Sequence, residues 1–147
     1  MKTLRHLLLS LAFFSVVSNY SICQEKSEPW DMFRGQNGSG VVESGSLPDE
    51  IGPDHNVIWE VEVPNGYSSP VLTDKYVLLT AQEKENLYTL CLDRNTGETV
   101  WKNQAPRPRN TKIDNRNNAA SPSVAVDNAA VYVFFADFGL LAYDFDG

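Results

Sequence analysis

The residues best suited to chemistry in this 147-residue sequence gather in one short stretch. Between positions 105 and 118 stand Arg107, Arg109, Lys112 and Arg116, opposed only by Asp114, in a chain whose net charge is -7. A guanidinium meets a carboxylate or phosphate through paired N–H donors. This stretch is therefore the candidate loop for docking an anionic ligand or partner. Its Asn-rich composition fits a solvated loop equally well, and both readings stand. His55 is the only histidine beyond position 6 and sits between Asp54 and Asn56 in a turn, with no neighbour in sequence for a metal or general-base role. Without it no Ser-His-Asp order and no metal-ligand cluster can be assembled. Cys91 lies inside an apolar run, where a thiol is inert. Gly35, Gly38 and Gly40 follow no strand and open no helix, so they do not form a phosphate loop.

The start of the chain reads as an export signal. Lys2 and Arg5 precede an apolar run over 7–17, and Ser21-Ile22-Cys23 puts small residues at the -3 and -1 positions of a signal-peptidase site. The run is shorter than the ~20 residues a membrane span needs. A signal peptide over 1–23 is expected, with the protein exported to the periplasm or the exterior. Lipidation of Cys23, giving an outer-membrane lipoprotein, is the second processing reading, and the bulky Ile22 argues against it. Cleavage would remove Lys2 and Arg5 but no acid, leaving ten bases against 19 acids. A net charge near -9 excludes general nucleic-acid binding, which wants a basic face. Cys91 would then be the only cysteine, so no disulfide is expected within the chain. No other stretch could serve as a transmembrane span.

The elements that must position these residues are strands. Beyond the signal, short period-2 runs alternate with Gly, Pro, Asn and Asp, the pattern of an all-β chain. After an acidic lead-in over 24–56, Val57, Trp59, Val61 and Val63 share one face of a run and Glu60 and Glu62 the other. Strands are expected over 69–72, 76–81, 87–92 and 98–103, joined by tight turns. The pattern then restarts. Ser69-Pro70-Val71 is echoed by Ser121-Pro122-Ser123-Val124, Tyr76-Val77-Leu78-Leu79 by Val131-Tyr132-Val133-Phe134, and Cys91-Leu92-Asp93 by Ala142-Tyr143-Asp144. Val57-Ile58-Trp59-Glu60 is echoed by Thr99-Val100-Trp101-Lys102. Four-stranded antiparallel units at 40–50-residue spacing are the sign of β-propeller blades, as in WD40-like rings. The expected parts are an outer strand at 57–63, a blade at 69–103 and an incomplete blade at 120–147. By repeat count, the remaining blades are needed in cis. Ser68, Ser69 and Ser121 fall near the innermost strands, as polar ligand contacts or as small residues that let blades converge.

The repeat residues resemble a known family. Cys91-Leu92-Asp93-Arg94-Asn95-Thr96-Gly97-Glu98-Thr99-Val100-Trp101 resembles the Ala-x-Asp-x-x-Thr-Gly-Lys/Glu-x-x-Trp motif of pyrroloquinoline-quinone-like (PQQ-like, quinoprotein-type) β-propellers. Asp93 and Thr96 would hydrogen-bond the turn, Gly97 would supply a positive φ, and Trp101 would dock on the neighbouring blade. Trp30-Asp31-Met32-Phe33-Arg34-Gly35-Gln36-Asn37-Gly38-Ser39-Gly40 is similar to the opening of exported bacterial members. The resemblance implies one of two activities, because one propeller serves many functions. The first is a non-catalytic scaffold that binds a protein or ligand, with an envelope protein as partner and no cofactor evident. The second is a PQQ- and calcium-dependent dehydrogenase of alcohols or sugars. The adjacent cysteine pair that such dehydrogenases often carry is missing, as is a Cys-x-x-Cys-His haem site.

Overall fold

A computed structural model describes residues 29–42, 45 and 48–147. The expected signal peptide and parts of the acidic lead-in lie outside the described residues. Two antiparallel sheets make up the fold. The first is four-stranded, in the order β1 (Val71–Leu72), β2 (Tyr76–Glu83), β3 (Asn86–Asp93), β4 (Thr99–Ala105). The second is three-stranded, in the order β5 (Ala125–Val126), β6 (Val131–Phe135), β7 (Gly139–Tyr143). The all-β expectation holds. Among the described residues, no helix is long and apolar enough to cross a membrane.

Alternation of side chains along each strand builds the core. Leu78, Leu87, Cys91 and Trp101 leave one face of the first sheet and meet Val131, Val133 and Phe135 of the second. Phe135, Leu78 and Leu87 are fully buried there, each worth about 1.5–3 kcal/mol relative to exposure. Polar bonds also cross the gap. The Thr80 hydroxyl donates to the carbonyls of Ala120 (2.9 Å) and Pro122 (3.0 Å). On the far side of the first sheet Val77, Ala81, Leu90 and Leu92 are buried as well. The far side of the second sheet is open instead, with Phe134 54% and Leu140 68% exposed.

Three expectations are corrected. Residues 57–63 make no strand pairing. A strand needs a neighbour for its N–H and C=O groups, and among the described residues no strand pairs with this segment. Ile58 is therefore exposed, and Val57, Val61 and Val63 do not form a buried face. The fourth strand of the first sheet starts one residue later and runs two residues further than expected, to Ala105. The echo of Tyr76 in Val131 is also shifted. Val77 pairs with Leu92 and Val131 with Tyr143, so Val131 corresponds to Val77, an offset of 54. A one-residue slip moves every side chain to the opposite face, which is why the matched letters misled.

An N-terminal strap ties the inner edges of the two sheets. Trp30 exchanges backbone bonds with Leu72 (3.1 and 2.9 Å), and the Val126 N–H donates to the Asp31 carbonyl (2.8 Å). The Trp30 ring lies on Gly35, where a Cβ would collide with it.

Candidate functional site

The turn after β3 forms as its residues dictate. The Asp93 carboxylate accepts the N–H groups of Asn95 (2.8 Å) and Thr96 (3.0 Å), and the Thr96 hydroxyl oxygen accepts the Glu98 N–H (3.2 Å). Gly97 has φ +76°, and a Cβ on it would stand 2.6 Å from the Trp59 ring. Trp59 Nε1 donates to the Arg94 carbonyl at 2.8 Å. One repeat later the arrangement recurs. Trp101 Nε1 donates to the Phe145 carbonyl at 3.0 Å, its ring meets Tyr143 at 5.6 Å, and Gly147, at φ +95°, lies under it. Each Trp docks on the turn of the unit that follows. Gly97→Ala combines a forbidden φ with a steric clash, so it should cost more than about 1 kcal/mol as a lowered denaturant midpoint. An unchanged midpoint would remove this turn from the account.

The basic stretch folds inward rather than standing clear. Its Arg107 side chain is 13% exposed and its Nε donates at 2.7 Å to the Asp137 carboxylate, which is 0% exposed. The other Arg107 nitrogens donate to the Glu85 carbonyl (2.7 Å) and the Asn110 side chain (3.0 Å). Arg107 therefore spans the β2–β3 turn of one sheet and the β6–β7 turn of the other. Arg109 donates to the backbone carbonyls of Asp137 (3.3 Å) and Ala136 (3.1 Å). Arg116 pairs with Asp114 at 2.8 Å on the surface, and the pair holds the Asp114 carboxyl below its usual range. The Thr111 N–H closes on Asp137 at 2.7 Å. Burial works hardest against the Asp137 charge, yet the bonds from Thr111 and Arg107 together keep its carboxyl below the ordinary value. Exposed Lys112 and the rim of Arg109 are the positive charge this stretch presents outward. The signal for Asp137 was present in the sequence as one acid inside the apolar run Phe135-Ala136-Asp137-Phe138.

The side chains of Ser68 and Ser121, and the backbone of Ser69, are bonded within the fold. Ser68 bonds both backbone groups of Thr80, the Ser69 N–H donates to Ser123 Oγ, and Ser121 bonds the side chain of Asn117 and the carbonyl of Asn118. His55 is exposed beside Glu50 at 3.5 Å. Burial, with Asp93 nearby, pushes the Cys91 thiol up to about 12, too high for a thiolate at neutral pH.

A cleft of about 420 Å³ opens between the β1–β2 and β5–β6 turns, lined by Asp31, Asp74, Lys75, Asp127 and Phe145 among others. Asp31 Oδ1 is buried there without a hydrogen-bond partner. Asp127 has its carboxyl held low by the N–H groups of Ala129 and Ala130 and by the Tyr132 hydroxyl. Neither acid was singled out in the sequence, because the fold brings them together from the strap and the β5–β6 turn. Among the described residues, no group of three or more His, Cys, Asp or Glu side chains is placed to hold a metal ion.

No known family, no curated protein and no solved structure matches this chain.

Proposed function

We propose that this protein is an exported, non-catalytic scaffold of the PQQ-like propeller type, acting as a binding module for a protein or other ligand of the cell envelope. One observation supports the reading above the rest. Several groups able to do chemistry are engaged in holding the fold together: Asp137 and Arg107 in the clamp between the sheets, Asp93 and Thr96 in the turn after β3, Cys91 in the core. The two Trp-on-turn dockings at matching repeat positions support the blade reading, because a wedge repeated between successive units is how a radial array is built. The exposed Lys112 and Arg109 rim is the surface that such a scaffold would turn to an acidic partner.

The test is direct. Purified protein supplied with PQQ and Ca²⁺ should show no alcohol- or sugar-dependent dye reduction above a heat-treated control. Substrate-dependent reduction would overturn the non-catalytic reading in favour of the dehydrogenase.

A further inference from the structure

Two Asn-Gly pairs occur in the sequence, Asn37-Gly38 and Asn65-Gly66. Glycine has no side chain to shield its backbone nitrogen, and that nitrogen stands one ring closure away from the carboxamide carbon of the asparagine before it. Every other asparagine among the described residues is followed by a residue with a side chain.

The fold treats the two pairs differently. Gly38 lies in a tight turn, where its N–H donates to the Gly35 carbonyl at 2.9 Å and the Ser39 N–H donates to the Gln36 carbonyl at 3.2 Å. Ring closure requires the glycine nitrogen to give up its proton, and here that proton is held. Gly66 is exposed, and its N–H has no hydrogen-bond partner among the described residues. The backbone on either side of it is pinned all the same. The Asn65 carbonyl accepts the Gln82 N–H at 2.6 Å, and the Tyr67 N–H donates to the Ala120 carbonyl at 3.1 Å. The Asn65 carboxamide is exposed and likewise unbonded among the described residues. Packing explains why a glycine stands here. A Cβ on Gly66 would lie 2.4 Å from the Thr80 carbonyl oxygen. The close approach to β2 therefore demands glycine, and the same choice leaves an unshielded nitrogen facing water.

We propose that Asn65 is a site of spontaneous covalent modification, a deamidation with water as co-reactant, and that the fold protects Asn37 from the same reaction. The Gly66 nitrogen loses its proton and attacks Cγ of Asn65. A C–N bond forms, the Cγ–Nδ2 bond breaks, and ammonia leaves with the proton, giving a five-membered succinimide. Water then opens the ring. Cleavage at the Cγ side gives an aspartate. Cleavage at the backbone-carbonyl side gives an isoaspartate, with one extra methylene in the main chain. Nothing is oxidised or reduced. Either product adds a carboxylate to a surface that already carries Glu62 and Glu83.

The purified protein, incubated at pH 6 and pH 8, tests this by peptide mapping with mass spectrometry. The peptide that holds Asn65 should gain the mass of an amide-to-carboxylate change, and faster at the higher pH. It should react about two- to tenfold faster than the peptide that holds Asn37, the factor that one retained hydrogen bond is worth in a barrier. In urea, where the turn at Gly38 is lost, the two rates should converge. Asn65→Gln needs a larger ring to close, and should remove the more acidic form that ageing produces on anion exchange. An Asn65 peptide that stays unchanged in the folded protein overturns the proposal, as does an acidic form that persists in Asn65→Gln. Rates that stay equally far apart in urea overturn the protection of Asn37, because local sequence would then set the difference.

Discussion

Arg107→Ala should lower the unfolding free energy by about 3–5 kcal/mol, the usual cost of removing one partner from a buried ion pair. The cost is high because Asp137 would stay behind at 0% exposure, with Thr111 as its remaining hydrogen-bond partner among the described residues. Two hairpin turns, one from each sheet, would lose their shared tie in the same step. Arg107→Lys should recover only part of the loss. A single ammonium cannot reproduce a planar fork that meets Asp137, Glu85 and Asn110 at once. The pH dependence has a definite sign. The Asp137 carboxyl is held below its usual value in the folded protein, so its contribution is complete above about pH 4, the ordinary carboxyl range. It is lost as pH falls through the lower folded value. Urea titrations across pH 2–7 should therefore show an acid-side loss of stability that Arg107→Ala largely abolishes. Equal acid sensitivity in both proteins would mean that other carboxylates set the acid limb.

Trp101→Ala should cost about 3–5 kcal/mol, in the range for a large aromatic removed from a core. Its ring is 9% exposed and belongs to the cluster between the sheets, its Nε1 satisfies the Phe145 carbonyl, and it meets the Tyr143 ring. Trp101→Phe keeps most of the apolar contact and loses that hydrogen bond, so about 1 kcal/mol is expected. Trp59→Ala makes the informative comparison. Trp59 forms the equivalent bond to Arg94 but is only half-buried and lies outside the core cluster between the sheets. It should therefore cost clearly less than Trp101→Ala. Denaturant midpoints with near-UV circular dichroism would report both. Equal losses at the two tryptophans would show that docking on the turn, and not wedging between sheets, carries the energy.

Much of this was legible in the residues themselves. Period-2 alternation and Gly/Asn/Asp turns define the two sheets, because side-chain alternation and left-handed turn residues are local properties of the backbone. The Asp93-to-Gly97 turn was readable for the same reason: its bonds all close within five residues. What local sequence could not settle was anything that depends on a neighbour. Residues 57–63 have the composition of a strand and are not paired, since pairing belongs to two segments and not to one. The match of Tyr76 to Val131 was off by one because Tyr and Val are both good strand residues, and only the ladder says which face each occupies. The basic stretch read as a net positive surface because the charges that answer it, Asp137 above all, lie some 30 residues away. Folding brings that carboxylate under Arg107, and burial turns a candidate binding residue into a clamp between two turns. Strand type and turn chemistry were thus set by the sequence along the chain. The partner of each strand, and the task of each charge, were decided by what the fold placed beside it.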